Sequence, residues 1–212
     1  MNFKNIRNLE LPLAGKTADG LKLGDIINVS GTIFTGRSRF HIRAIEENIA
    51  PPLDYSKINS FLHAGPVMKK TGAGWKVVSI EPTSSIRFER YGGDVINKFH
   101  LRVIMGKTTM DRKAAAALRE TGGVYLSKIG LCGNMLAGQV KKVSGVYFLE
   151  ELGKTEATWV LEVENFGPFF VAIDSSGRSY FENLDCKVKK NLKVLQKKLG
   201  IPEDFKLTSV NV

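Results

Sequence analysis

Short helical patterns alternate with β-rich runs through the middle of the 212-residue chain, which predicts a mixed α/β fold with a substantial parallel component. The runs owe their strand character to Val, Ile, Phe and Tyr, and glycines punctuate them. With 43% hydrophobic and 25% charged residues, the chain has the composition of a globular protein that can bury a core without disulfides or a structural metal.

In chain order, DIINVSGTIFTG (25–36) reads as a strand. Residues 37–50 follow as a helix, with Phe40, Ala44, Ile45 and Ile49 on one stripe. WKVVSIEP (75–82) is a strand that leads into a helix starting near Thr83 or Ser84. LRVIMG (101–106) is the next strand, and MDRKAAAALRE (110–120) the next helix. That helix has Thr109 as its N-cap, Asp111 in its first turn and Gly122-Gly123 as its stop. GVYLSKIG (123–130) is a strand, and 134–141 a fourth helix. VSGVYFLEELG (143–153) and TWVLEVENFGPFFVAID (158–174) read as antiparallel strands, with a turn at Asp174-Ser-Ser-Gly177. After Phe181 the character changes. Residues 183–212 hold seven lysines against three acids, and NLKVLQKKLG reads as an amphipathic helix closed by Gly200. The expected division is a domain over 1–182 and a basic, helical C-terminal tail over 183–212.

A formal charge of +10 favours an anionic partner, whether nucleic acid, a membrane surface or small carboxylates. No apolar run approaches the roughly 18 residues of a membrane span, and the first residues lack an apolar leader, so a cytoplasmic protein is expected. Aromatics form no stacking array, which leaves nucleic acid weakly supported. Cys132 and Cys186 are far apart and form no CxxC pair. They exclude a zinc ribbon and are too few to ligate an iron–sulfur cluster.

Three segments share one arrangement. GTIFTG runs into Arg37, VVSIEP into Thr83, and VIMG into Lys107. Each polar residue follows a predicted strand and precedes a predicted helix. In open α/β sheets that edge is where ligands bind, and helix N-termini there favour anions. Arg37, Thr83, Lys107 and Arg87, one turn past Thr83, can therefore converge on a carboxylate or phosphate. Singly, each is more readily explained as a solvated cation or an N-cap. Three of one kind point to a common cause. His41, one turn beyond Arg37, can face the same place, whereas His63 and His100 read as structural. No histidine pair has metal-ligand spacing, so no metal site is expected here. GLCGNMLAG (130–138) lacks a P-loop ending, and Cys132 within it reads as a small buried hydrophobe.

GDIINVSGTIFTGR with His41, HAGPV (63–67), EPTSSIR (81–87), IMGK (104–107), GGVYLSKIG (122–130) and ELGKTEATWVLEVENF (151–166) carry a resemblance. Together they resemble the β subunit, or C-terminal domain, of the iron–sulfur hydro-lyases of the class I fumarase and L(+)-tartrate dehydratase family, over roughly residues 8–182. The resemblance implies a swivelling β/β/α domain with mixed sheets and flanking helices. It also implies a separate α subunit, which holds a four-iron–four-sulfur cluster through three cysteines and leaves one iron open to polarise the substrate hydroxyl. The expected assembly is a hetero-oligomer acting on a small dicarboxylate, with no membrane partner. By the same resemblance, Arg37, Arg87 and Lys107 grip substrate carboxylates, Thr83 transfers the proton, and His41 stands behind them. The implied activity is reversible hydration of fumarate to (S)-malate, with L(+)-tartrate dehydration as the alternative. A basic binding module for nucleic acid or an acidic protein is the alternative of a different class. The chain departs from the family pattern at Ser38 (TGRS for TGRD), at Glu81 (EPTSS for GPTTS) and at Thr108-Thr109 (GKTT for GKGG).

Overall fold

The computed structural model describes residues 6–202 and 205, apart from 16, 73 and 131. Strands β1 (Ile6–Glu10) and β2 (Ile26–Gly36) precede helix α1 (Ser38–Ile45). Next come β3 (Ser60–His63), the hairpin β4 (Val67–Thr71) and β5 (Gly74–Ser79), a short 3-10 helix (Ser85–Phe88) and α2 (Glu89–Phe99). β6 (Val103–Gly106), α3 (Arg112–Thr121), β7 (Val124–Lys128) and α4 (Gly133–Gly138) follow. The chain then forms β8 (Val140–Tyr147), α5 (Leu149–Glu156), β9 (Thr158–Ile173) and α6 (Tyr180–Lys198).

β2, β3, β6 and β7 are consecutive parallel neighbours, and β9 runs antiparallel to both β7 and β2. The sheet therefore closes into a barrel-like ring, with β1 added outside β2 and β8 on β9. Successive residues along a strand face opposite ways. Ile33, Leu62, Met105, Leu126 and Val171 fill one core with Trp159. Their neighbours Phe34, Phe61, Ile104, Tyr125 and Phe170 fill a second, beneath Phe40 and Ala44 of α1, Val95, Ile96 and Phe99 of α2, and Ala114 and Leu118 of α3. Strands covered on both faces read as continuous apolar runs, and β3 and β6 are buried at every residue.

The α/β class and the mixed pairing agree with the sequence reading, and several local details differ. β1, β3 and β4 are additions, each only four or five residues long. Residues 149–152 are helical rather than extended, and Gly153 breaks the helix at φ 70° and ψ 171°. Phe148 in the left-handed region turns the chain out of β8, and Glu150 and Glu151 then lie at a helix N-terminus, where the dipole favours acids. α1 stops at Ile45, well before residue 50, because Asn48 is left-handed and Pro51 disfavours helical geometry in the residue before it. The cap of α3 is Asp111, whose carboxylate accepts the Ala114 N–H at 2.9 Å, and not Thr109. α4 ends at Gly138, since 140 and 141 already belong to β8. Cys132, expected to be buried, is exposed, as is Cys186, and neither is paired.

α6 starts on the body and leaves it. Tyr180 and Phe181 pack on Phe170, with ring centroids 5.4 and 5.9 Å away, and Arg112 Nε meets Glu182 at 2.7 Å. From Leu184 to Leu195 its apolar side chains stay exposed. Residues 203, 204 and 206–212 of the basic tail lie outside the described residues. No helix among the described residues is long and apolar enough to cross a membrane.

Where β2 crosses from its pairing with the end of β9 to its pairing with the start, its register shifts between Val29 and Gly31. Gly31 has φ +126°, and a Cβ there would lie 2.7 Å from the Leu11 carbonyl oxygen. Gly31→Ala is therefore expected to lower stability by at least about 2 kcal/mol, read as a shift of the urea midpoint at unchanged m-value.

Candidate active site

The strand registers line up one row of residues. Gly36 pairs with His63, Leu62 with Met105, and Gly106 with Ser127. One residue further toward the carboxyl ends, the positions at this level are therefore Arg37, Ala64, Lys107 and Lys128. Three cations share this rim.

Thr83 enters the row from the loop after β5. Ala64 bridges Pro82 in antiparallel fashion, and Ser84 bridges Lys107 in parallel. The Thr83 N–H donates to the His63 carbonyl at 2.6 Å, and the Lys107 N–H donates to the Thr83 carbonyl at 3.2 Å. The segment 82–84 thus wedges between the ends of β3 and β6, and brings Thr83 between Arg37 and Lys107. Arg87 lies on the 3-10 helix of the same loop, exposed, its guanidinium 5.8 Å from the Phe88 ring centre. Among the described residues neither Arg87 nor Lys107 has an ion-pair partner, and the Thr83 hydroxyl has no hydrogen bond. Cations left unpaired at a strand edge suit an anionic ligand.

Arg37 is partly sheltered. Its Nε is buried without a hydrogen bond, 3.8 Å from Glu156 Oε1, and its stem packs where Gly65 leaves no room for a Cβ. Glu156 Oε2 also accepts the Arg39 N–H at 3.0 Å, so an acid from α5 serves the first turn of α1, where Ser38 is exposed. Glu81 pairs with Lys128 at the far end of the row, which offsets the charge it would otherwise add near an anion. Thr108 is left-handed at φ 70°, and its hydroxyl meets Ser84 Oγ at 3.1 Å, so the Thr108-Thr109 variation is accommodated in the turn beside Lys107.

His41 lies beneath this surface. It is fully buried and stacks on Phe88 at 4.5 Å and 10°. Its Nδ1 is 2.8 Å from the Arg37 carbonyl, which can only accept, so Nδ1 carries the hydrogen and Nε2 is a bare, buried acceptor without a partner. Burial pulls its pKa down to about 4. His63, 5.1 Å away, is held well below the usual histidine range by burial and then by His41. Sequence reasoning singled out Arg37, Thr83, Arg87, Lys107 and His41, read His63 as structural, and did not single out Ser85, Tyr125, Lys128 or Glu156. Their only signal was position: His63 and Lys128 end β-rich runs, whereas Ser85, Tyr125 and Glu156 arrive through long-range packing.

Among the described residues no three His, Cys, Asp or Glu side chains gather in a way that could hold a metal ion.

A family model described as the fumarase C-terminus matches residues 4–184. A protein of Methanocaldococcus jannaschii, named provisionally as an L(+)-tartrate dehydratase subunit beta, is 41% identical over 186 residues, 86% of this chain and 95% of its own. A provisionally named class I fumarate hydratase of Geobacillus stearothermophilus is 38% identical over 183 residues, but the match spans only 35% of that longer protein. The L(+)-tartrate dehydratase subunit beta of Escherichia coli K12 is 30% identical over 171 residues, 81% of this chain and 84% of its own.

Both histidines are neutral in the fold and take up protons more readily when unfolded. Stability is thus complete above the unfolded value near 6.5 and falls as pH drops toward 4, by up to about 1.4 kcal/mol per pH unit for each histidine. Urea unfolding between pH 7 and 4.5 is expected to show this decline, and His41→Gln to make it shallower.

Proposed function

The chain belongs to the fumarase C-terminus family, and on that premise we propose that it is the β subunit of a two-subunit hydro-lyase that interconverts fumarate and (S)-malate in the cytoplasm. The observation that supports the reading is that the backbone of Thr83 is bonded between His63 and Lys107, in the row that also holds Arg37 at the carboxyl ends of parallel strands.

Each residue type then has a task. Arg37 and Lys107, with Arg87 from the rim, bind the two carboxylates of a four-carbon diacid. The Thr83 oxygen takes the proton from the methylene carbon of malate, and returns it in the hydration direction. The electron pair released from that C–H bond spreads onto the adjacent carboxylate, whose growing negative charge the same cations stabilise. A free hydroxyl is a weak base, and neighbouring positive charge lowers its pKa toward usefulness. The hydroxyl leaves from the next carbon, on the side of the site that this chain does not build. We assign the four-iron–four-sulfur cluster to the α subunit, over which this domain swivels. That assignment is supported by the two exposed cysteines, which lie far apart in sequence, and by the lack of any group of three His, Cys, Asp or Glu among the described residues.

L(+)-tartrate is the second reading, favoured by the names of two relatives. It differs from malate by one hydroxyl, and discrimination turns on whether the closed site hydrogen-bonds that group.

The test is anaerobic reconstitution of the chain with its α subunit, iron and sulfide, assayed on malate, fumarate and L-tartrate. Lys107→Ala and Arg37→Ala are expected to raise KM for the diacid at least tenfold and to lower kcat. Thr83→Ala should lower kcat by about a hundredfold with little change in KM. Near-normal kinetics in all three variants would remove the row from catalysis. Truncation after residue 182 should keep most of the turnover, and loss of all activity on that truncation would favour a tail-driven binding protein instead.

A further inference from the structure

Thr83 lies on a segment without regular structure, yet the reaction proposed above needs its hydroxyl held beside Lys107. We propose that Ser85, Tyr125 and His63 form a positioning lock that fixes the Thr83 segment to three strands of the ring. The kinetic part of this inference rests on the hydro-lyase reading. The structural part does not.

The lock centres on one buried hydroxyl. Ser85 Oγ lies 2.9 Å from Tyr125 Oη on β7 and 2.7 Å from His63 Nδ1 at the end of β3. All three residues are buried, none more than 1% exposed. The Tyr125 O–H donates to Ser85 Oγ, which frees the Ser85 proton for His63 Nδ1. That direction requires a neutral His63, which burial favours, with its hydrogen on Nε2. The Ser85 N–H also donates to the Lys107 carbonyl at 2.9 Å, so the same residue ties the loop to β6. Room for the hydroxyl comes from Gly106, where a Cβ would overlap Ser85 Oγ and lie 2.9 Å from Tyr125 Oη. Thr83, two residues away, is then held by the His63 carbonyl and the Lys107 N–H.

These are positioning residues. A buried hydrogen-bond chain left unsatisfied at one member destabilises the rest, and a catalytic group displaced by about 1 Å can lose a hundredfold in rate. Ser85→Ala removes the centre of the chain, and Tyr125→Phe removes one oxygen while keeping the ring. In the reconstituted complex each is expected to lower kcat for malate tenfold to a hundredfold, with KM changed less than threefold. The double variant should be no worse than Ser85→Ala alone. In the full chain without its partner, amide exchange at Thr83 and Lys107 should quicken at least tenfold in both variants, while the amides of residues 103–105 keep their protection. Unchanged exchange at Thr83 and Lys107 overturns the lock. So does wild-type kcat in both variants where Thr83→Ala is impaired. If Thr83→Ala and Lys107→Ala themselves keep full turnover, the hydro-lyase site is what fails, and exchange alone then decides the lock. If Ser85→Ala does not fold, Tyr125→Phe carries both measurements.

Discussion

The whole arrangement depends on β9 pairing on both edges. Its antiparallel bonds to β2 on one side and β7 on the other turn an open parallel sheet into a ring. Ring closure leaves the four parallel strands no freedom to slide, since each register is fixed on both sides. That is why residues as distant in sequence as Arg37 and Lys128 end at the same level. It also sets the direction of the molecule. The polar rim lies at the carboxyl ends of the parallel strands, while α6 departs from the end of β9, where Phe170 pairs with Ile26 at the opposite end of β2.

Electrostatics at the rim is deliberately uneven. Lys128 has a close acid in Glu81 and Arg37 a more distant one in Glu156, whereas Lys107 and Arg87 are without partners among the described residues. Exposed cations cost little while water solvates them. Their attraction for a carboxylate grows once a covering surface excludes that water. A row of this kind on an open edge suits the shared site proposed above, and two of the relatives are named as β subunits.

The sequence announced this rim because strand ends leave a signature: an apolar run, a small residue, then a charged or hydroxyl residue. TIFTGR and VIMGK both have it, and Gly36 and Gly106 prove to be small because Phe40, Phe61 and Ser85 fill the space beside them. The short strands β1 and β3 carried too few residues for a period to show. Residues 149–153 misled because an aromatic in the left-handed region, which no propensity anticipates, separates strand from helix at Phe148. Ser85, Tyr125 and Glu156 were unreadable for another reason. Their importance lies in which distant atom each one meets, and that is decided only when the ring has closed.

The β4–β5 hairpin is inserted between His63 and Thr83, yet the Ala64–Pro82 bridge closes its base. Its outermost turn, at Gly72 and Gly74, lies beyond Met68 and Val77, which are buried in the core, so length can change there while the bridge below stays closed. Descendants of this chain can reshape that finger to suit a new companion protein while inheriting the Thr83 segment beneath it intact.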